Sequence, residues 1–479
     1  MDALNKGVAN LVPRARTSWL RLGAEKCKFY LSPVGNSLSR MLSHYLRRIR
    51  IFWCKIVLSA IRLHCTCSIM FKSNTAREII DLILPLYLPS FLFSFSHSLL
   101  SPVLPLYALE FKVPYGVVGM VLAGEAIGML LFDLPAGMLL RRLGQKASML
   151  VGLVFVGGST AGLFWAASIE VVVACRVLAG FGAAMFVVSR HFYLAEMVNP
   201  EHRGRVISLF GGFFRLGRFL GPLAGGAVAA AFGLRASFLS FAGVCLLIMG
   251  VVIVFMPVLR VRQHDTRTDA KRQFSYLMEM FHDQYKVLGT AGLGELFLNL
   301  TRSGPGVVIP LYGASVLGLD VQTIGNIMGL SGVVDMLLFY PAGWMMDRFG
   351  RKYAIISSCL GIGFAMLLIP LAPNALMLSL AAMFAGFGNG LGSGTMLTLG
   401  ADLAPEKCRS EFLGAWTLIG DLGGTGGPLI IGNLADVMPL QPASFVVASA
   451  GAISALIFFL FVPETMRKKR GVAPPKPAA

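Results

Sequence analysis

From Ile79 onward the chain alternates between long apolar runs and short polar turns. A helix of about 20 residues is needed to cross the hydrocarbon of a bilayer. A backbone inside lipid must satisfy its own hydrogen bonds, so runs of that length are read as helices. Twelve runs are placed at 79–107, 115–140, 147–167, 169–193, 205–232, 236–258, 287–316, 322–346, 353–372, 375–400, 411–433 and 442–463. A polar stretch, 260–286, separates the sixth from the seventh, and its later part, 274–287, has the apolar spacing of a helix lying along a membrane surface. The expected fold is an all-α polytopic membrane protein of twelve transmembrane helices. The parts are a basic extension (1–76), a six-helix bundle (77–258), a central loop (259–286), a second six-helix bundle (287–463) and a basic tail (464–479).

The two bundles repeat each other. Pro135-Ala136-Gly137 recurs as Pro341-Ala342-Gly343, Gly144 as Gly350 and Lys146 as Lys352. Ala179-Gly180-Phe181-Gly182 recurs as Ala385-Gly386-Phe387-Gly388, Arg203 as Arg409, and Gly221-Pro222 as Gly427-Pro428. The offset is constant, which indicates duplication. Six helices per copy give both copies one orientation, a parallel repeat about an axis along the membrane normal, with a ligand site expected near the midplane between them.

Composition agrees with burial in lipid. Of 479 residues 56% are hydrophobic and 14% charged, against about 25% charged in a soluble domain. The net charge of +18 is concentrated at one end, where residues 1–77 hold 14 Lys/Arg against Asp2 and Glu25. No basic groove or stacking motif accompanies it, so nucleic acid is not an expected partner. The extension reads as an organelle transit segment, a disordered tail near anionic lipid, or an upstream extension without function. The apolar segment 51–71 within it carries Lys55, Arg62 and His64, and is read as interfacial at most. The remaining positive charge lies in alternate loops. With the amino terminus in the cytoplasm, 21 Lys/Arg fall on the inside and only Lys112 and Arg235 outside, so both termini are expected to be cytoplasmic. The eight cysteines include one close pair, Cys65 and Cys67, without a second pair or a histidine set at zinc spacing. They read as free thiols, and neither a metal nor a cofactor is expected.

Ionisable side chains inside apolar spans are costly and mark pathways. Glu125 and Asp133 lie eight apart in the second span, on roughly one face, and Asp335 in the eighth span aligns midway between them. His97 and Arg302 are repeat-equivalent, which places both toward the central cavity. Glu295, Asn299 and Arg302 form a stripe at i, i+4 and i+7. A buried glutamate can carry a proton near neutral pH, whereas a neighbouring arginine holds it ionised. Glu295 with Arg302 is therefore either a proton site or a structural ion pair. Asp421 aligns with Arg215, and pairing of Asp421 with Arg215 or Arg218 across the halves is expected.

Three motifs carry a family resemblance. Gly343-x-x-x-Asp347-Arg348-x-Gly350-Arg351-Lys352 resembles the loop signature of the major facilitator superfamily. Gly137-x-x-x-Arg141-Arg142-x-Gly144-Gln145-Lys146 is its first-half copy, with Arg141 where the family has an acid. The resemblance implies a charge cluster that latches the halves on the cytoplasmic side; a topology anchor is the other reading. With Arg141 in place, the helix-end acid must come from elsewhere, and Asp133 is the candidate. Arg176-x-x-x-Gly180-x-Gly182-Ala183-Ala184 resembles the family's fourth-helix motif, without its glutamine. It implies proton coupling, the alternative being a snorkelling arginine. Gly217-x-x-x-Gly221-Pro222-x-x-Gly225-Gly226 resembles the signature of the drug/proton antiporter branch, although Gly423-Gly424-x-x-Gly427-Pro428 echoes it in the eleventh span. It implies exchange, usually export, or simple helix packing.

These readings lead to an expected secondary active transporter working by alternating access, without enzymatic activity. The expected activity is proton-coupled efflux of a small, amphipathic or drug-like organic molecule. A proton-coupled uptake symporter and a non-transporting receptor or assembly protein on the same fold are the alternatives. A monomer in the plasma membrane is expected, an organelle membrane being the alternative given the extension.

Overall fold

The structure, a computed structural model, describes residues 82–197, 203–257, 270–405 and 409–465. The basic extension, the Cys65/Cys67 pair, residues 258–269 and most of the carboxyl tail lie outside these residues. All regular structure among the described residues is helical. A π-helical turn, Ile83–Tyr87, leads into α1 (Leu88–Leu99) and α2 (Val103–Glu110). Then follow α3 (Tyr115–Leu143), α4 (Gln145–Gly162), α5 (Ile169–Met197), α6 (Arg203–Phe232) and α7 (Ala236–Phe255). The second bundle holds α8 (Ala270–Ser315), α9 (Val321–Phe349), α10 (Arg351–Leu368), α11 (Ala375–Leu391), α12 (Thr395–Leu403), α13 (Arg409–Val437) and α14 (Leu440–Phe461). Among the described residues nine helical segments are long and apolar enough to cross a membrane, and helix occurs at each of the twelve expected positions.

The repeat holds in three dimensions almost to the residue. The pairs α3/α9 and α4/α10 start and stop at equivalent positions. The turn between them needs glycine: Gly144 has φ 82° and Gly350 φ 107°, a region open to glycine and costly for other residues. Gly137 and Gly343, the first glycines of the two loop motifs, sit inside α3 and α9 rather than at the turn.

The structure corrects the expected parts in three places. The first span breaks at Leu100–Pro102 into α1 and α2, because proline lacks the N–H that would continue the helix. The tenth breaks at Gly392–Gly394, where Gly394 has φ 72°, while its counterpart α5 is continuous. Residues 270–286, expected as loop with a helix in its later part, are helical throughout and form the first part of α8, a single 46-residue helix.

Helices cross closely where glycines meet backbone. A Cβ at Gly180 would land on the Glu125 carbonyl and 2.6 Å from Gly128 Cα, so α3 and α5 touch through bare backbone. A Cβ at Gly137 would meet nothing within 4 Å. Gly180→Val is expected to abolish the monodisperse peak in detergent size-exclusion chromatography, and Gly137→Ala to leave it intact. Equal behaviour of the two would show that this crossing does not limit folding.

The bundles meet along two seams, α3 against α13 and α6 against α9. At the end bearing Pro114 and Asp320 both seams are tight. Gly119 faces the Pro428 carbonyl, Gly432 faces that of Tyr115, and Gly325 faces that of Pro222. Asp436, at the end of α13, accepts the Tyr115 N–H (2.6 Å) and the Gly116 N–H (2.9 Å), capping α3 of the other bundle. Asp320 caps α9 by accepting the Thr323 hydroxyl at 2.6 Å and its amide at 3.1 Å, and these bonds hold its carboxyl below the usual aspartate range. Toward the other end of the α3–α13 seam Asp133 and Asp421 are exposed.

Candidate functional site

Two adjoining cavities lie between the bundles and share Ser101, Ser303 and Gly306 in their walls. The first, about 250 Å³, is lined by Arg218 of α6, Arg302 of α8, Asp335 of α9 and Asn389 of α11. The second, about 260 Å³, is lined by His97, Glu125 and Arg176 of one bundle and by Val307 and Pro428 of the other.

His97, Glu125 and Arg176 form one buried cluster from three helices. Glu125 Oε1 lies 3.0 Å from His97 Nδ1, and Oε2 lies 2.6 Å from Arg176 Nη2. Arg176 Nε also donates weakly to the Val121 carbonyl at 3.4 Å. The imidazole is flanked by Phe93 and Phe241, and its Nε2 is buried without a partner. Arg176 is thus a buried partner of an acid, not a snorkelling cation. A carboxylate held between an arginine and an imidazole with one nitrogen free is a group able to pass a proton. Asp133, expected to share a face with Glu125, lines neither cavity.

The stripe on α8 divides. Asn299 Nδ2 donates to Glu295 Oε1 at 2.8 Å, and Glu295 Oε2 is buried without a partner. Arg302 does not pair with Glu295. Its Nη2 donates to the Gly392 carbonyl at 2.8 Å and reaches Ser358 at 3.5 Å. The break between α11 and α12 makes that carbonyl available. His97 and Arg302 do face adjoining cavities, as their repeat equivalence implies.

The expected cross-bundle pair is replaced by another. Arg215 Nη1 contacts Asp335 Oδ1 at 2.7 Å and stacks over Phe339. Asp421 makes no ion pair among the described residues. It lies on α13, which packs against α3, whereas Arg215 lies on α6, which packs against α9.

Among the described residues the polar contacts of the loop-motif side chains stay within their own bundle. Arg351 Nε lies 3.3 Å from Asp402, and Nη1 lies 3.9 Å from Asp347. Glu464 accepts the N–H groups of Arg351 and Lys352, both at 3.1 Å, which caps α10. Arg348 lies over the Trp344 ring. In the first copy Arg141 and Arg142 are exposed, and Lys146 instead donates to the carbonyls of Ile253 and Met256 at the end of α7. Neither Asp133 nor any other acid takes the place that Arg141 leaves among the described residues. The motif of α6 acts as packing: Gly217, Gly221 and Gly225 seat α1 along Phe91 to Leu99. That contact brings the helix of His97 beside the helix of Arg218.

Three side chains escaped the sequence reading. Asn389 lines the first cavity, and Asp436 caps α3. Arg190 is buried in α5 among Phe186, Phe210 and Phe214, with Nε and Nη1 unpartnered. Its position inside the fourth span was the available signal.

Two like-oriented helical bundles enclosing a charged cavity, in an array of bilayer-length apolar helices, define a multi-pass membrane transporter. The profile of the Major Facilitator Superfamily matches residues 86–293 and 291–478, and the chain belongs to that superfamily. An uncharacterised MFS-type transporter of Methanocaldococcus jannaschii is 20% identical over 71% of this chain and 87% of its own. Multidrug resistance protein 2 of Bacillus subtilis is 24% identical over 55% and 66%. The galactose-proton symporter of Escherichia coli K12 is 24% identical over 75% and 78%. The crystal structure of a D-xylose-proton symporter superposes with a TM-score of 0.64 at 20% identity, covering 81% of this chain and 98% of the other. Membership in a family of transporters agrees with the expected non-enzymatic role.

Proposed function

We propose that the protein is a proton-coupled secondary active transporter that exports a small organic solute by alternating access. The observation that carries the coupling is the buried His97–Glu125–Arg176 cluster on the wall of the inter-bundle cavity. A proton taken up there changes the charge facing the cavity and so biases one arrangement of the bundles over the other. Glu295, with one bare oxygen in the second bundle, supplies a further proton site. Exchange is supported by the multidrug resistance relative. A second reading, proton-coupled uptake, is favoured by the galactose-proton symporter relative. Both place the termini in the cytoplasm and the protein, as a monomer, in the plasma membrane.

Inside-out vesicles separate the two readings. With the lumen acidified, export by exchange accumulates solute from a labelled panel, and loss of preloaded solute under the same gradient would overturn export. Glu295→Gln is expected to abolish the proton-driven component while leaving expression unchanged. Undiminished flux in that variant removes Glu295 from the mechanism.

A further inference from the structure

The charges on the cavity wall do not balance. Arg218 projects from α6 into the first cavity and has neither a hydrogen bond nor an ion pair among the described residues. Arg302 enters the same cavity from α8, and its hydrogen bonds go to neutral acceptors, Gly392 O and Ser358 Oγ. Its Nε is buried without a partner. The one acid on this wall, Asp335, is already held by Arg215 at 2.7 Å. Glu295 stands near Arg302 but is bonded to Asn299 and lines neither cavity. Asp133 and Asp421 lie on neither wall. The remaining polar side chains around the arginines are neutral: Ser98, Ser101, Ser303, Ser331 and Asn389. Unpaired guanidinium groups at membrane depth are expensive, and in membrane proteins such groups face a counter-charge or a pathway. Arginine binds carboxylate or phosphate through paired N–H groups in a planar fork.

We propose that the transported solute is an organic anion, bound through its carboxylate or phosphate between Arg218 of one bundle and Arg302 of the other. Ile309, Met328 and Ile362 on the same wall receive its apolar part. The anion neutralises cations from both bundles at once, so its arrival lowers the cost of bringing the two walls together. This assignment rests on the transport reading of the same cavity and adds the substrate class to it.

The test uses the full chain purified in detergent and three probes of one shape: 2-naphthoate, 2-naphthamide and 2-naphthylmethylamine. Binding is measured by equilibrium dialysis up to millimolar concentration, with naphthyl phosphate included to separate carboxylate from phosphate preference. The anions are expected to bind roughly ten- to hundred-fold more tightly than the amide, the range set by a charge-assisted hydrogen bond. Arg218→Gln should weaken anion binding by a similar factor, and Arg218→Lys, which keeps the charge without the fork, should weaken it less. Because Arg218 has no bond among the described residues, this variant reports on the ligand even where Arg302→Gln disturbs α8. Equal or tighter binding of the amide or amine overturns the proposal. So does failure of every anion to bind, or anion binding that Arg218→Gln leaves unchanged. Flux in proteoliposomes distinguishes the two readings. Anion binding without proton-driven flux upholds the charge assignment and overturns proton coupling. Proton-driven flux of the amine with the anions inert does the reverse.

Discussion

Glu125→Gln is expected to abolish proton-driven flux and to cost about 3–5 kcal/mol of stability, the usual penalty for removing one member of a buried ion pair. Both oxygens of Glu125 are engaged, one with His97 and one with Arg176. A glutamine keeps one acceptor, and its amide N–H groups face a cation or an imidazole. The loss comes mainly from Arg176, a buried guanidinium left without its counter-charge. The double variant Glu125→Leu with Arg176→Met should recover much of the melting temperature, since apolar replacement of a buried pair is often neutral. It should not recover flux. Thermal melts in detergent and flux in proteoliposomes read these two effects separately. Wild-type proton-driven flux in Glu125→Gln would show that the proton does not pass through this cluster.

The second large effect is expected at the seam between the bundles. Asp335→Asn breaks the Arg215–Asp335 contact that ties α6 to α9 and leaves Arg215 half-buried over Phe339. The cost should be about 2–5 kcal/mol, expressed partly as a shift toward arrangements in which this seam is open. Spin-label distances between α6 and α9 would report the shift. Exchanging the charges, Arg215→Asp with Asp335→Arg, should recover part of it. A double-mutant cycle with a coupling energy below about 0.5 kcal/mol, within ordinary additivity, would mean that the contact does not hold the seam.

Most of the scaffold was legible in the sequence. The constant offset between Pro135-Ala136-Gly137 and Pro341-Ala342-Gly343 fixed the duplication, and α3/α9 and α4/α10 begin and end where it requires. Apolar windows, however, do not report where a helix is interrupted. Pro102 lies in a stretch as hydrophobic as its neighbours, whereas Gly394 ends the glycine-rich run 388–394, a break signal that an apolar window averages away. The charge partners were harder to read. Repeat equivalence suggested Asp421 for Arg215, but positions related by a two-fold rotation touch only close to the axis. The seams instead join α6 to α9 and α3 to α13, so Arg215 met Asp335 and Asp421 has no ionic partner among the described residues. The cavity residues His97, Glu125, Arg176 and Arg302 were each visible as charges out of place in an apolar span. Their assembly into a cluster and an unbalanced wall was not, because it depends on which helix faces which.

The cap that Asp436 places on α3 has an uneven genetic consequence. Its two acceptor oxygens belong to one side chain, while the donors are main-chain amides of Tyr115 and Gly116. Almost any residue at 115 supplies the same amide, proline excepted, whereas at 116 a Cβ would lie 2.7 Å from Asp436 Oδ2 and 3.0 Å from Asn433 Oδ1, so any side chain there pushes on the clasp. The easy routes to loosening it run through two codons, that of Asp436, which holds both acceptors, and that of Gly116, which leaves room for them. A screen for variants biased toward opening at this end should therefore return substitutions of Asp436 and Gly116 repeatedly and few at Tyr115.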